Sequence, residues 1–393
     1  MPVRTDPRTP IPPLSLLLAS AVLLASCGDR PRREEVDGVE YVHNPSAPAE
    51  GEVFPEPVPP VDLQVVTSDE GGAPPWTAVR EVRAWPGGGW AVLDMHRAEI
   101  TFLDEEGETV SLLDLSSPPL GLVSPMAFAV DDSSAAVADM ALRRVVRFTP
   151  GGEFLTAFEV AGGLPADLAG MPGGEWNVLT VARPFAGREQ ITQVRRYAPD
   201  GAPLRVAGQD SLLLEHRGFA EIVRPLPLTL DAGPGGTLYA AGLEYQILQV
   251  LPGGERRVLI RPPLVTRVPG YVMEQRRDLM SRRVPAQQRS VPVTEETEVA
   301  RLTALDDGDL LVQSTDWHPA LLDDGYAGRY QVLLLDLFQQ DGRWMRRHAL
   351  RLPLPATTVT LTDAADGWVY GWSKPFSGDR GISVFRFRVE NLP

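Results

Sequence analysis

A unit of four short segments recurs along the chain from Val79 to its end. In each segment apolar and polar residues alternate, which is the pattern of a half-buried β-strand. A tight turn joins the first segment to the second, a looser connection leads to the third, and another tight turn leads to the fourth. Glycine occupies most of these turns and supplies the positive-φ backbone that short hairpin turns require. The pattern therefore predicts antiparallel four-stranded meanders.

The copies of the unit are marked by their tight turns. Six copies can be counted, with turns at 86–89 and 105–107, 131–134 and 150–152, 172–174 and 199–201, 234–236 and 252–254, 307–308 and 341–342, and 366–367. Six such sheets predict an all-β, six-bladed β-propeller, because each small sheet can bury its two faces only against its neighbours. A β-sandwich fits less well, since a sandwich does not require two regularly spaced turns in every repeat.

The two ends of the repeat region predict how the ring closes. The sixth copy ends one strand short, at Val389, whereas Asp62–Val66 is an alternating segment before the first copy with no partner of its own. We expect this amino-terminal strand to be the fourth, outer strand of the last blade, so that the propeller domain covers residues 61–393. Such closure removes an open sheet edge.

The connections divide the ring into two unlike ends. In an up-and-down blade the tight turns fall at one end, and the second-to-third loops and blade-to-blade crossings fall at the other. We call these ends the tight-turn face and the loop-rich face. All long connections belong to the loop-rich face, namely 180–190, 207–227, 262–298, 314–330 and 373–381. Loops longer than their geometric minimum often carry function, so we expect any functional surface there, around the mouth of the central channel.

Charge and composition exclude two classes of partner. Across 393 residues the formal net charge is −15 and the hydrophobic content is 43%. A core of ordinary size can therefore form, while repulsion disfavours nucleic acid and anionic lipid surfaces as partners. Cys27 is the only cysteine, so no intrachain disulfide can form and packing alone must stabilise the fold.

The amino-terminal segment predicts export and a membrane anchor. Arg4 and Arg8 precede an apolar stretch, Leu14–Ala25, that is shorter than the roughly 20 residues a membrane-spanning helix needs. The run Leu24-Ala25-Ser26-Cys27 resembles the lipobox of bacterial lipoproteins. The resemblance implies that residues 1–26 are removed as a signal peptide and that Cys27 carries the lipid. An ordinary signal peptide followed by an incidental cysteine is the alternative.

The residues after the cysteine extend this expectation. Gly28 stands where an aspartate would favour retention in the inner membrane, so the resemblance implies the periplasmic side of the outer membrane in a diderm organism. Residues 27–60 are rich in Pro, Glu and Arg, and we expect a mostly extended tether with one short strand-like piece at Val39–Val42.

Two aspartates occupy matching positions in the first two copies and are the main candidates for chemistry. Asp94 and Asp139 each end a second strand, and Arg97 and Arg143 follow them closely. Each aspartate either caps the following loop or pairs with that arginine. Alternatively, Asp94, His96 and Asp139 lie on the loop-rich rim as acid/base groups. The five histidines of the chain show no metal-ligand spacing, so no zinc site is expected.

Further candidates for ligand binding lie in or beside the long loops. The run 316–318 in the fifth copy, Asp-Trp-His, combines an aromatic ring with titratable groups. Near the end of the sixth copy, Trp372 and Lys374 can contact an anion. No nucleophile elbow, phosphate loop or Cys/His pair is present in the sequence. The candidate ligand-binding residues are Arg97, Arg143, Glu244, Tyr245, Asp316, Trp317, His318, Trp372 and Lys374.

Sequence motifs within the copies point to a family. The second copy resembles the NHL-type propeller repeat in Phe128–Val130, Ala136–Asp139 and Arg144–Leu155. The whole chain is similar in layout to bacterial six-bladed propeller lipoproteins, in the lipobox, the segment 38–45, the long crossing into the fifth blade and the stretch 371–384. That group implies a fold and an anchor but no general activity. Gly242 and Gly371 stand where the NHL repeat has aspartate, so a complete ring of aspartate ligands is not expected.

Two functions from different classes remain. The first is a lipid-anchored binding module that presents its loop-rich face to a protein, peptide or envelope polymer and needs no cofactor. The second is a propeller hydrolase or lyase, similar to metal-dependent lactonases, with a divalent cation at the mouth of the central channel. The second function requires several carboxylates around one ion, and the sequence offers only Asp94, Asp139 and Glu244.

Overall fold

The alternating segments pair into six antiparallel meanders that are arranged as a ring. The structure is a computed structural model, and it describes residues 30–45, 55–68, 75–131, 133–182, 189–213, 229–241, 245–261, 266–267, 270, 273–274, 277, 295–296, 299–314, 330–354, 358–374 and 381–389. Three strands precede the first blade: β1 (Arg32–Val36), β2 (Val39–His43) and β3 (Gln64–Thr67).

The first three blades are complete four-stranded sheets. Blade one comprises β4 (Val79–Trp85), β5 (Gly89–Asp94), β6 (Glu99–Leu103) and β7 (Thr109–Asp114). Blade two comprises β8 (Pro125–Val130), β9 (Ala135–Asp139), β10 (Arg144–Phe148) and β11 (Phe154–Glu159). Blade three comprises β12 (Leu164–Gly170), β13 (Trp176–Ala182), β14 (Glu189–Tyr197) and β15 (Pro203–Leu213).

The remaining blades follow the same order. Blade four comprises β16 (Leu230–Ala232), a 3₁₀ turn (Pro234–Gly236), β17 (Leu238–Ala241), β18 (Gln246–Val250) and β19 (Arg256–Ile260). The crossing that follows contains a short pair, β20 (Thr266–Arg267) and β21 (Glu295–Glu296). Blade five comprises β22 (Val299–Ala304), β23 (Leu310–Ser314), β24 (Gln331–Phe338) and β25 (Trp344–Leu352). Blade six comprises β26 (Thr358–Ala365), β27 (Trp368–Lys374) and β28 (Ser383–Arg388) with β3.

The amino-terminal strand closes the ring, as the sequence predicts. β3 pairs antiparallel with β28, with Val66 opposite Val384, and becomes the outer strand of blade six. The backbone N–H of Ser68 extends the ladder by donating to the carbonyl of Ile382 at 2.8 Å. Around the centre, the innermost strand β4 contacts both β8 of blade two and β26 of blade six. The six-bladed, four-stranded propeller is therefore confirmed.

The tight turns have the geometry that their glycines predict. The N–H of Gly152 donates to the carbonyl of Thr149 at 2.8 Å, and Gly152 has a φ of 85°. Gly201 repeats this arrangement in blade three, where its N–H donates to Ala198 at 2.9 Å and its φ is 87°. L-amino acids with side chains rarely adopt such φ values, so glycine at these positions fixes where each hairpin reverses.

The hydrophobic core lies in the seams between blades. One buried cluster occupies each of the six seams, for example Phe128 with Leu93 between blades one and two, and Leu361 with Leu311 between blades five and six. Each sheet therefore buries both faces against its neighbours. This arrangement requires no disulfide.

Residues 30–45 are folded against blade four, although the sequence predicts them to be part of an extended tether. β1 and β2 form a hairpin, and β2 pairs in parallel with the outer strand β19. Val42 is fully buried and packs with Leu259 and Phe338 in the seam between blades four and five. Val58 then bridges to Leu350 on the outer edge of blade five. The segment thus covers sheet edges that would otherwise be open to other strands.

Candidate functional site

The loop-rich face is built where the second-to-third loops meet the blade crossings. The N–H of Met95 donates to the carbonyl of Ala78 at 3.0 Å, and the N–H of Val160 donates to the backbone carbonyl of Arg143 at 2.7 Å. These bonds tie each short loop to the crossing beside it. Parts of the long connections predicted at this end lie outside the described residues, among them 183–188, 214–227, 262–265, 315–329 and 375–380.

Asp94 caps the first of these loops. It is almost fully buried, and one of its oxygens, Oδ2, accepts hydrogen bonds from the N–H of Thr77 at 2.6 Å and of Ala78 at 3.3 Å. The other oxygen, Oδ1, accepts from the N–H of His96 at 3.0 Å and of Arg97 at 3.1 Å. The carboxylate therefore joins the crossing that enters blade one to the loop between β5 and β6.

Asp139 has the equivalent position in blade two and accepts hydrogen bonds from equivalent backbone N–H groups. It is fully buried, and Oδ2 accepts from the N–H of Val123 at 2.6 Å and of Ser124 at 3.2 Å. Its Oδ1 accepts from the N–H of Leu142 at 2.9 Å. Both aspartates thus use their lone pairs on backbone donors, which matches the capping interpretation of the sequence pattern.

The residues that follow the two aspartates are exposed on the loop-rich face. His96 and Arg97 lie at the tip of the β5–β6 loop, where Nε of Arg97 is 3.3 Å from Oε1 of Glu99. Arg143 is exposed in the β9–β10 loop and has a left-handed backbone with a φ of 53°. Neither arginine side chain pairs with the aspartate before it, because each aspartate is occupied by backbone N–H groups.

Trp372 and Tyr245 are packed against the ring, whereas Lys374 is exposed at the end of β27. The indole N–H of Trp372 donates to the carbonyl of Arg80 at 3.1 Å and so joins blade six to blade one. Tyr245 is buried, and its hydroxyl donates to Oδ2 of Asp336 in blade five. Burial raises the pKa of Tyr245, and the charge of Asp336 raises it further. Tyr245 is therefore part of the packing between blades four and five and does not lie on the exposed rim.

The other residues singled out from the sequence lie outside the described residues. They are Cys27, Glu244, Asp316, Trp317 and His318.

The centre of the ring holds a cluster of charged side chains that the sequence analysis did not identify. Arg301 of blade five donates from Nη2 to Oε1 of Glu81 in blade one at 2.9 Å, and its Nη1 lies 3.3 Å from Oδ2 of Asp167 in blade three. Arg83 of blade one lies 3.3 Å from Asp363 in blade six and 3.8 Å from Asp231 in blade four. With Arg80, these residues form what we call the axial cluster, which spans the central channel.

Four members of the axial cluster directly follow a local irregularity in an innermost strand. Register shifts occur between Val79 and Glu81 in β4 and between Pro165 and Asp167 in β12. Corresponding shifts in β22 and β26 come directly before Arg301 and Asp363. Bulges of this kind turn a side chain away from its expected direction. Charged residues directly before or within the apolar core of an innermost strand, as in Val79–Arg83, are the signal that could have revealed the cluster.

The carboxylates of the axial cluster also join neighbouring blades. Asp167 accepts from the N–H of Leu230 at 2.8 Å, and Asp231 accepts from the N–H of Ala304 at 2.8 Å. Asp363 accepts from the N–H of Ala84 at 2.7 Å. Innermost strands of adjacent blades do not pair through their backbones, so their inward N–H groups need other acceptors. The aspartates supply them.

The axial cluster contains four carboxyl groups and three guanidinium groups. Burial raises the pKa of Asp231 to about 7, against the opposing effect of Arg83, and the nearby Asp363 adds to the rise. Burial also raises the pKa of Asp167 and of Asp363. The cluster has one more carboxyl group than guanidinium groups, and burial favours the protonated form of Asp167, Asp231 and Asp363.

The tight-turn face has a cleft between blades six and one, with a volume of about 410 Å³. Arg386 lies in its wall, stacked 4.9 Å from the ring of Trp90 and 4.3 Å from that of Trp368. Its guanidinium donates to the side chain of Gln64 at 2.8 Å and to the carbonyl of Glu105 at 2.6 Å. These bonds join the closing strand β3 to blade one, so the cleft belongs to the closure of the ring.

No three His, Cys, Asp or Glu side chains within the described ranges converge in a way that could hold a metal ion. No helix in this part of the chain has the length and apolar character needed to cross a bilayer.

Comparison with known proteins adds likeness at the level of the fold. No protein-family model and no curated protein matches the chain. A Bacteroides fragilis NCTC 9343 protein described as exported is 10% identical with a TM-score of 0.47, over 83% of this chain and 95% of that one. Hydrazine synthase from Kuenenia stuttgartiensis is 14% identical with a TM-score of 0.42, and the match covers 78% of this chain and 75% of that one. An inactive variant of virginiamycin B lyase from Staphylococcus aureus, with quinupristin, is 10% identical with a TM-score of 0.42, and the match covers 82% of this chain and 98% of that one. These values carry no argument about what the chain binds.

Proposed function

We propose that the chain is a lipid-anchored binding module of the cell envelope, which presents its loop-rich face to a protein, peptide or envelope polymer. The observation that carries the proposal is the capping of the rim loops by Asp94 and Asp139. Buried carboxylates that accept three or four backbone hydrogen bonds hold a loop in one conformation. A rim fixed in this way supports recognition, since positioned loops lose little entropy on binding.

The axial cluster supports the same proposal. Its side chains cross the central channel between blades one, three, four, five and six, and Glu81 and Asp167 are fully buried. The channel is therefore occupied by side chains, which leaves the faces of the ring for a partner. The loop-rich face exposes the basic residues Arg97, Arg143 and Lys374 and also the acids Asp114 and Glu159, so it offers charged groups of both signs to a partner.

The only lysine of the chain gives a selective test of this surface. Lys374 lies at the loop-rich end of β27, so an amine-reactive crosslinker applied to intact envelopes attaches there. We expect a discrete adduct of higher mass, and Lys374→Arg, which keeps the charge and removes the primary amine, should abolish it. Absence of any adduct with the natural lysine, at every crosslinker length tried, would contradict the proposal.

The anchor has a separate test. By the lipobox resemblance, Cys27 carries acyl chains, and each buried methylene contributes about 0.8 kcal/mol to membrane attachment. Cys27→Ala should therefore move the protein from the membrane fraction to the soluble fraction. If the variant remains in the membrane fraction, the lipid anchor is wrong.

The hydrolase or lyase alternative differs in its need for a metal ion. Asp94 and Asp139, two of the three carboxylates it would use, are committed to backbone donors in the described structure. Elemental analysis of the purified full chain separates the two functions. A stoichiometric divalent ion whose removal abolishes turnover of a lactone would favour the enzyme over the binding module.

A further inference from the structure

A row of polar side chains crosses blade three near the tight-turn face. Asn177 of β13 lies opposite Arg196 of β14, which in turn lies opposite Arg205 of β15. Residues opposite one another in an antiparallel sheet project from the same face. That face packs on blade four, because Leu179, two residues from Asn177, shares a buried cluster with Leu238. The row therefore lies in the seam between blades three and four.

The polar atoms of this row are buried without partners. Asn177 is fully buried, and neither its Oδ1 nor its Nδ2 has a hydrogen-bond partner among the described residues. The Nε and Nη2 atoms of Arg196 are buried and unpartnered in the same way. Buried polar groups in native proteins are almost always hydrogen-bonded. A fully buried amide beside a guanidinium with unused donors therefore indicates a site for a polar group from outside the chain.

The charge of the row favours an anion. Arg196 has one acidic partner, since its Nη1 lies 3.4 Å from Oε2 of Glu175, while no carboxylate of the described residues pairs with the exposed Arg205. Burial lowers the pKa of Arg196, and the positive charge of Arg205 lowers it further. Two guanidiniums that share one carboxylate leave a net positive charge. The surrounding tight turns, by contrast, expose acids such as Asp200 and Glu255.

We propose that Asn177, Arg196 and Arg205 form a binding site for a small oxyanion, either a phosphate or the phosphate group of a larger ligand. The planar guanidinium donates two parallel hydrogen bonds to such a group, and Nδ2 of Asn177 can donate a further one. The row lies at the tight-turn end of the seam, where Gly254 of blade four packs close to Arg205, since a Cβ at that glycine would lie 3.3 Å from Nη1 of Arg205. It lies at the opposite end of the ring from the loop-rich face and does not depend on the proposed function.

Inorganic phosphate is the first probe, titrated into the purified full chain against sodium chloride at matched ionic strength. We expect a saturable rise in the unfolding temperature and a saturable heat of binding. Arg205→Gln removes an exposed charge without touching the core, and it should weaken the apparent affinity about tenfold. Arg346→Gln is the matched control, since Arg346 is exposed in blade five, away from the seam between blades three and four, and it should bind as the natural chain does.

Asn177→Leu provides a second variant that keeps the number and branching of the side-chain heavy atoms and removes the unpartnered amide. It should fold at least as stably as the natural chain in chloride and should lose the response to phosphate. Methyl phosphate distinguishes the source of the anion, because equal binding of the ester favours the head of a larger ligand and exclusive binding of phosphate favours the free ion. A response that does not saturate, or that is equal in the natural chain and in Arg205→Gln, overturns the proposal.

Discussion

Arg301 in blade five donates to Glu81 in blade one at 2.9 Å, and the two blades are not neighbours in the ring. The ion pair therefore reaches across the central channel and opposes any outward movement of the blades. Both side chains are buried, which costs solvation that only close pairing can offset. The contact therefore joins two innermost strands, β4 and β22, across the centre of the closed ring.

Removal of the cation should destabilise the protein strongly. Arg301→Met leaves Glu81 and Asp167 facing each other without their shared partner, and we expect a loss of about 3–5 kcal/mol in the free energy of unfolding. Chemical denaturation measures this loss. Arg97→Met is the control, because Arg97 pairs with Glu99 at the surface, and it should cost less than about 1 kcal/mol. Equal losses in the two variants would contradict the role given to the axial cluster.

The axial cluster should also make stability depend on pH. The pKa of Asp231 is about 7 in the folded protein against 3.8 for an unperturbed aspartate. The folded state therefore holds this proton more tightly, so the contribution of Asp231 to stability is fully present below pH 3.8 and is lost as pH rises through about 7. Asp231→Asn removes this titration, so the free energy of unfolding should fall less steeply with pH. The slope should change by up to about 1.4 kcal/mol per pH unit, which corresponds to one proton. Denaturation curves for both proteins between these pH values test it, and parallel pH profiles would refute it.

Asp94 should contribute to stability through its cap. Asp94→Ala leaves the N–H groups of Thr77, Ala78, His96 and Arg97 without their acceptor, and we expect a cost of about 2–3 kcal/mol. His96→Ala, in the same loop, should change stability by less than about 0.5 kcal/mol. Thermal unfolding of the two variants measures the difference. If Asp94→Ala unfolds at the temperature of the natural chain, the cap is not structural.

The β1–β2 hairpin should open locally when its buried contact is reduced. Val42→Ala removes two methyl groups from the seam between blades four and five, so amide exchange in Val39–His43 should become at least about tenfold faster. Exchange in the inner strand β17 should stay unchanged. Val36→Ala, at an exposed position of the same hairpin, serves as the control. Uniformly faster exchange across blade four would show that the hairpin and the blade unfold together.

The turns and the unpaired strand made the fold predictable from the sequence. Glycine turns report local backbone geometry, and they recur at intervals that only a set of meanders satisfies. The segment Asp62–Val66 had no partner in its own copy, and blade six lacked one strand, so their pairing followed from counting. The matching contexts of Asp94 and Asp139 likewise predicted that the two share one role, and both are caps.

The contacts missed by the sequence analysis are those between segments far apart in the chain. The pattern of Val39–Val42 predicts a strand but not that it pairs with β19, more than 200 residues away. Glu81 and Arg301 are separated by 220 residues, and an alternating pattern does not tell which charged side chain turns into the channel. Register shifts directly precede Glu81 and Arg301, and such shifts cannot be derived from an alternating pattern.

Crosslinking from two opposite positions in living cells tests the central claim most directly. A photoreactive residue at Arg143 lies on the loop-rich face, and one at Asp200 lies on the tight-turn face, both exposed and both in short turns. We expect a discrete covalent adduct from position 143, in clearly higher yield than any adduct from position 200, after illumination of intact cells. Adducts from position 200 alone, or equal yields from both positions, would contradict binding through the loop-rich face.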